Sequence, residues 1–426
     1  MQIHTVQRGQ TLFGIAQAYS ITVNELVEAN GIAPEETLVV GLALVIPIYG
    51  QFYWVQPGDS LYSIGRKFSV SFEELAAVNE LNVSQPITIG LRLYIPEQSK
   101  PEKEYLGYEY APIETSSLQR ELPYLSYLAL FSYEFTEDGD LRTPALGEIY
   151  EAAVTSRAAL SMVTTNIKNG QFDSELVSDL LSNATKRGQL LAQIEAEAER
   201  VGYRDIHFDF EYVPKDSADD YELFLREAKV MCTRNGWFLS TAITPKTSSD
   251  QTGLLYEGID YSVHGEICDF VVLMSYGWGW SGGPPLPISP LPLVREVLEY
   301  ALSQIPASKI LLGQNLYGYD WTLPYAENRP AQSVSPQESI DIARRYNRPI
   351  RYDYRDQAPY IDYIDENAKE HRVWFEDARS SQAKFELVKE YNLRGVGAWQ
   401  IAFDFPQNWL ILADTFTIKS KNPPNR

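Results

Sequence analysis

The sequence predicts an α/β protein: a (β/α)8 TIM barrel with a small α+β insertion, preceded by two small βααβ domains. Three observations predict it. A gapless repeat at one constant offset fills the first hundred residues, pairing Gly9 with Gly58, Asn30 with Asn79, Gly41 with Gly90 and Pro47 with Pro96. Short apolar runs then alternate with helical patterns for about 300 residues, the length of a closed barrel. Between residues 349 and 375 a polar, Tyr-rich stretch breaks that alternation, as a small antiparallel insertion would.

Each repeat reads as strand, helix, helix, strand. Val6 (Val55) ends a short strand, Gly9 (Gly58) turns the chain, and Thr11 (Ser60) is placed to cap a helix whose apolar face begins Leu12, Ile15, Ala16. Thr22 (Ser71) caps a second helix, and Gly41 (Gly90) turns into a closing strand ending at Pro47 (Pro96). The copies span residues 1–48 and 50–97. Residues 98–122, opening on the charged run EQSKPEKEY, read as a linker. The barrel is assigned residues 123–426 and is expected to fold alone from about residue 106. Seven strands are predicted, at 124–133, 159–167, 205–212, 237–244, 268–276, 309–317 and 395–403, with an eighth concealed between 141 and 157. Helices are predicted over 185–200, 217–235, 290–303 and 376–391.

Composition removes several function classes. Lys and Arg number 36 against 57 Asp and Glu, a net charge of −21. So acidic a surface repels phosphate backbones and anionic lipid, so neither nucleic acid nor membrane is expected as a partner. Two Cys make no disulfide framework, and four scattered His show no zinc-ligand spacing. No metal and no cofactor are therefore expected. No run of about 18 apolar residues could span a bilayer. The opening MQIHTVQRGQ lacks a basic segment followed by an apolar one, so a chain made without a cleaved signal peptide is expected.

Both repeats resemble LysM domains, modules that bind glycans containing N-acetylglucosamine. The resemblance places a glycan groove between the first turn and the loop after the second helix. That implies Gly9, Gln10, Thr11, Asn30, Gly31 and Ile32 in the first copy, and Gly58, Asp59, Ser60, Asn79, Glu80 and Leu81 in the second. Most contacts would be made by backbone, and two modules in series would raise avidity.

The strand His207-Phe208-Asp209-Phe210-Glu211 carries the strongest catalytic signal. Alternation puts His207, Asp209 and Glu211 on one face and the two Phe on the other. In a barrel the aromatic pair packs outward and the carboxylates face the mouth, at the strand end where barrel enzymes do chemistry. Carboxylates at i and i+2 stand too close to hold a water between them as an inverting pair must. One can stay ionised while the other, raised by burial and by its neighbour, remains a general acid.

This strand resembles the D-x-x-D-x-D-x-E strand of glycoside hydrolase family 18. The resemblance implies Glu211 as general acid and Asp209 as its partner; His207 and Arg204 stand where the family has Asp. Met274 and Tyr276 match the family's M-x-Y-D strand, with Gly277 in place of the acid. Restoring an acid there is expected to tighten substrate binding. Trp399, on the last strand, corresponds to the family's indole under the reacting sugar, and Ala398 before it is a departure. His207, Met274, Asn315, Tyr319, Asp320, Trp321 and Trp399 are candidate substrate contacts, with Tyr276 joining the catalytic pair.

The two LysM-like copies together with HFDFEY, WGWSGGPP, GQNLYGYDWTLPY, VWFEDARS and FPQNWL resemble the cortex-lytic glucosaminidases of spore-forming bacteria. What this implies is a retaining, substrate-assisted hydrolase, cutting after N-acetylglucosamine in spore cortex peptidoglycan, monomeric and resident in the spore. A chitinase would share the site, and a non-catalytic glycan-binding lectin would explain the departures. Retention of both Asp209 and Glu211 favours an enzyme.

Overall fold

A computed structural model of the chain describes residues 1–96, 99–110, 115–147 and 156–421. Eight parallel strands close into a barrel: Glu102–Tyr110, Tyr127–Phe135, Ala159–Thr165, Asp205–Asp209, Phe238–Ile243, Phe270–Leu273, Ile310–Asn315 and Gly395–Trp399. The first strand pairs with both the second and the eighth, which seals the sheet.

That first strand lies where the sequence reads as a linker. Its alternation of charge and aromatic hides it, because the partners of its charges are remote in sequence. Lys103 Nζ donates to Leu393 O and Asn392 Oδ1, and Glu104 pairs with Arg394 at 2.7 Å. The eighth strand is thus not found between 141 and 157. The described part of that segment holds only Leu141–Arg142, a short antiparallel rung on the second strand, and residues 148–155 lie outside the described residues. The boundary at 122/123 moves accordingly to about residue 100.

Leu106, Tyr108, Tyr127, Ala129, Phe131, Val163, Phe270, Val272 and Leu311 fill the barrel. The helices pack outside it. Phe208 meets Phe224 at 4.8 Å and Phe210 stacks on Tyr221, both on the helix Ala218–Asn235, as alternation predicts. The insertion is larger than expected. Its five antiparallel strands run from Gly318–Thr322 to Glu370–Trp374, and the last three cover the predicted 349–375 region.

Both repeats fold as βααβ units with Thr11, Thr22, Ser60 and Ser71 capping their helices. Their settings differ. The second copy has its own core, built on Val55, Leu61, Ile64, Leu75, Leu93 and Ile95. The first shares one core with the insertion, where Leu26, Leu42 and Ile46 join Val334, Ile340, Ile350, Ile361 and Val373. Gly41 and Gly90 both turn at positive φ. A Cβ at 90 would meet nothing, whereas one at 41 would stand 1.8 Å from Ile350 O. Ile350 N also donates to Val40 O. The first repeat therefore packs as one core with the insertion, and a chain beginning at residue 106 would also lack the start of the first barrel strand, Glu102–Tyr110.

Candidate active site

The fourth strand delivers Asp205, His207 and Asp209 to the barrel interior, all buried, and Glu211 follows just past its end, half-buried. Asn166, after the third strand, clamps Glu211 by its backbone: Oδ1 accepts Glu211 N at 3.0 Å and Nδ2 donates to Glu211 O at 2.9 Å. Asn166 was not foreseen, since nothing in its local sequence marks it.

Burial, and then the charge of Asp209, pushes the Glu211 carboxyl well above the ordinary carboxylate range; burial likewise raises Asp209. The pair thus retains a proton at pH values where exposed carboxyls have lost theirs. Asp209 Oδ1 is buried without a hydrogen-bond partner. Tyr276 keeps its phenolic proton, because burial and the nearby Asp209 and Glu211 raise its pKa well above 10.

A cavity of about 300 Å³ holds Asp209, Glu211, Met274, Tyr276 and Trp399 among its lining, with Tyr108, Tyr110 and Tyr317. Trp399 lies against Phe131, Tyr108 and Tyr110 at 4.7, 5.5 and 5.6 Å between ring centroids. A second cavity of about 260 Å³ shares Glu211, Met274, Tyr276 and Tyr317, and continues past Gly277 to Tyr256 and Trp278. Glu211 therefore stands where two sugar-sized spaces meet, the placement a proton donor to a bridging oxygen requires. Tyr108 and Tyr110 escaped sequence reading because their strand reads as a linker.

Other candidates fall outside these cavities. His207 is fully buried, with both ring nitrogens bonded to protein: Nε2 to Tyr108 Oη at 2.9 Å and Nδ1 to Ser240 Oγ at 2.7 Å. Asn315 is buried, donating to Tyr317 O and accepting from Ser289 Oγ. Tyr319, Asp320 and Trp321 begin the insertion sheet. Asp320 accepts from Tyr363 Oη and pairs with His371, and Trp321 Nε1 donates to Gly283 O. Tyr319 packs between Tyr317 and Trp321. These side chains have partners within the scaffold, and none of them is among the lining of either cavity. Among the described residues no group of His, Cys, Asp and Glu could hold a metal ion.

In the repeats, Gly9 and Gly58 turn at φ +84° and +88° with open space before them. Gln10 and Asp59 accept the backbone N–H of Gln7 and Gln56, and so brace that turn. Asn30 and Asn79 are structural pins. Each donates to its own helix (Leu26 O, Leu75 O) and to the closing strand (Val45 O, Tyr94 O), leaving no side-chain donor for a glycan. Ile32 is buried, and Leu81 packs on the second copy's core. Glu80 turns at φ +54°. Gly31 faces the barrel: a Cβ there would stand 2.8 Å from Pro406 Cγ.

The family model "Glycosyl hydrolases family 18" matches residues 100–404, and the LysM domain model matches 4–47 and 53–96. The chain is 52% identical to the cortical fragment-lytic enzyme of Bacillus subtilis (strain 168), covering 99% of each. It is 48% identical to that of Bacillus anthracis, over 99% of this chain and 100% of the relative. The crystal structures of the spore cortex-lytic enzyme SleL from Bacillus cereus and Bacillus megaterium QM B1551 superpose with TM-scores of 0.89 and 0.91. Their identities are 45% and 42%, and each covers 99% of both chains. The chain belongs to glycosyl hydrolases family 18, with two LysM domains ahead of the barrel, and is a glycosidase.

Proposed function

We propose that this glycosidase cleaves spore cortex peptidoglycan after N-acetylglucosamine during germination, by a retaining, substrate-assisted route. Its close relatives are named for lysis of cortical fragments, which supports the substrate. The observation that carries the mechanism is the orphaned Asp209 Oδ1, buried beside Glu211. A buried acceptor without a donor is costly unless a ligand supplies one. The N–H of a sugar's 2-acetamido group supplies that donor.

Glu211, held protonated, donates to the glycosidic oxygen as the bond to the anomeric carbon breaks. The acetamido carbonyl oxygen attacks that carbon and forms an oxazolinium ion. Asp209 accepts the acetamido N–H and balances its growing positive charge, and the Tyr276 hydroxyl donates to the same group. Glu211 then takes a proton from the water that opens the ring. Holding the acetamido in place makes the attack intramolecular. Muramic lactam has its nitrogen locked in a ring with no free acetyl, so it cannot supply the nucleophile, which favours cleavage after N-acetylglucosamine.

Product analysis on soluble cortex fragments tests this. New reducing ends on N-acetylglucosamine, formed with retained configuration, are expected. Reducing ends on muramic residues, or an inverted product, would refute the mechanism, and preference for chitooligosaccharides over cortex fragments would point to a chitinase.

A further inference from the structure

A cavity of about 560 Å³ lies between the first repeat and the barrel and shares no lining residue with the two around Glu211. Four carboxyl groups line it. Glu25 and Glu28 come from the repeat's helix Val23–Asn30, Glu121 from the stretch that leads into the second barrel strand, and Asp404 from just before the last helix, Pro406–Thr415. Among the described lining residues one cation, Arg120, stands against them.

Glu121 is the group that calls for a ligand. It is 5% exposed, and its Oε2 has no hydrogen-bond partner among the described residues. A buried acceptor in that state is costly unless a donor arrives. The other acids favour a positive donor. Glu28 and Asp404 are exposed, and Glu25 is held ionised by the backbone N–H and hydroxyl of Thr22, both donating to it. Among the described residues no group of His, Cys, Asp and Glu is arranged to hold a metal ion, so the fitting cation is an ammonium. The remaining walls are apolar. Tyr124 stacks on Trp409 at 5.6 Å between ring centroids, beside Pro47, Pro406 and Leu410. An alkyl chain ending in an ammonium fits such walls better than an amino sugar, whose amine is ringed by hydroxyls.

We propose that this cavity binds the free side-chain ammonium of the diamino acid in a peptidoglycan stem peptide. This rests on peptidoglycan being the substrate, as read above. The ammonium pairs with Glu121 and the neighbouring acids, and Arg120 meets the carboxylate that the same diamino acid carries. Cross-linking acylates that amine and removes its charge, so the cavity tells free stems from cross-linked ones. With no ligand, burial and then the charge of Glu109 push the Glu121 carboxyl up to about 8, with Arg120 opposing and Asp404 adding to the rise. An arriving ammonium lowers that value, so Glu121 gives its proton to solvent as the ion pair forms. Glu25 and Glu28, on the facing helix, strengthen the attraction for the ammonium.

Titration calorimetry on the full chain at pH 7 tests this. The probe is a stem tripeptide, N-acetylated at its alanine and ending in diaminopimelate, whose one free amine is on the diaminopimelate side chain. It should bind, and the same peptide acetylated on that amine should bind roughly tenfold more weakly. Buffers of different ionisation enthalpy should report roughly one proton released per peptide bound. Glu121→Gln should weaken binding roughly tenfold and abolish the proton release. Glu28→Gln and Asp404→Asn, at exposed positions, should each weaken it roughly two- to fivefold and keep the release. No binding of the free-amine peptide, equal affinity for its acetylated form, or parental affinity in all three variants overturns the proposal. A glucosamine trimer that binds where the tripeptide does not would move the ammonium to the glycan and overturn the stem-peptide assignment. Binding is read without cleavage, so failure here leaves the proposed reaction standing, and an inverted or muramic product refutes that reaction without altering these affinities.

Discussion

The side-chain amide of Gln407, on the last helix of the barrel, donates to Asn30 Oδ1 and to Ala43 O in the first repeat, each at 2.9 Å. Among the described residues, the equivalent Asn79 has partners only within its own repeat. Two copies of one sequence pattern thus serve different ends. The loop after the second helix abuts the barrel in the first copy, and the second copy keeps a separate core. A chain beginning near residue 98 would expose Val334, Ile340, Ile350 and Val373, which the first repeat now covers. Such a truncation should aggregate or melt well below the full chain in calorimetry. A truncated barrel as stable as the parent would show the shared core to be dispensable.

Glu211→Gln keeps the shape of the site and removes its transferable proton. General acid catalysis contributes roughly 10²–10⁴-fold, so kcat on soluble fragments should fall by that order with KM little changed. Turnover within a few fold of wild type would remove Glu211 from the mechanism.

How far the site was legible depended on where each residue's partners lie. The fourth strand could be read because alternation is local: Phe208 and Phe210 outward, Asp209 inward. Trp399 ends a strand, and Tyr276 follows one, whose apolar run is plain. The first strand could not be read, because Lys103 and Glu104 find their partners nearly 300 residues away, at Asn392–Arg394. With it went Tyr108 and Tyr110, and with Tyr108 the hydrogen bond that turns His207 from a sugar contact into part of the floor. Asp320 and Trp321 read as sugar contacts for the converse reason. An aromatic beside a carboxylate is a sugar-binding pattern, but His371, Tyr363 and Gly283 engage those side chains.

Stability should fall as pH rises through neutrality. Glu109 and Glu121 are buried, each with Oε2 unpartnered, and burial pushes both carboxyls up to about 8. Their folded values lie above the unfolded ones, so the folded state binds more protons between about pH 4.5 and 8. Their stabilisation is present below that window and is lost on rising through it. Glu109→Gln and Glu121→Gln should flatten the decline and raise Tm at pH 8.5 by roughly 3–8 °C. Melting curves from pH 5 to 9 check this; a wild-type Tm that climbs across the window would contradict it.

Gly277 follows Tyr276 and lines the second cavity beside Glu211. From sequence, an acid restored here should tighten binding. The backbone reverses that expectation. Gly277 sits at φ +96°, where a side chain is strained however much room surrounds it. Room is not the limit, since a Cβ would meet no atom within 4 Å. The cost is conformational, about 1–2 kcal/mol for an ordinary L-residue and less for Asn, which tolerates left-handed geometry. Gly277 N also donates to Ile288 O at 2.8 Å, so relaxing φ would disturb the turn that sets Tyr276. Gly277→Glu and Gly277→Ala should therefore lose similar stability, Gly277→Asn less, and kcat should follow the same order through Tyr276. KM should not improve in the Glu variant. Thermal melts and initial rates on the three variants decide the matter: an Ala variant as stable as Gly, or a Glu variant with KM below wild type, would restore the view that position 277 lacks only its acid.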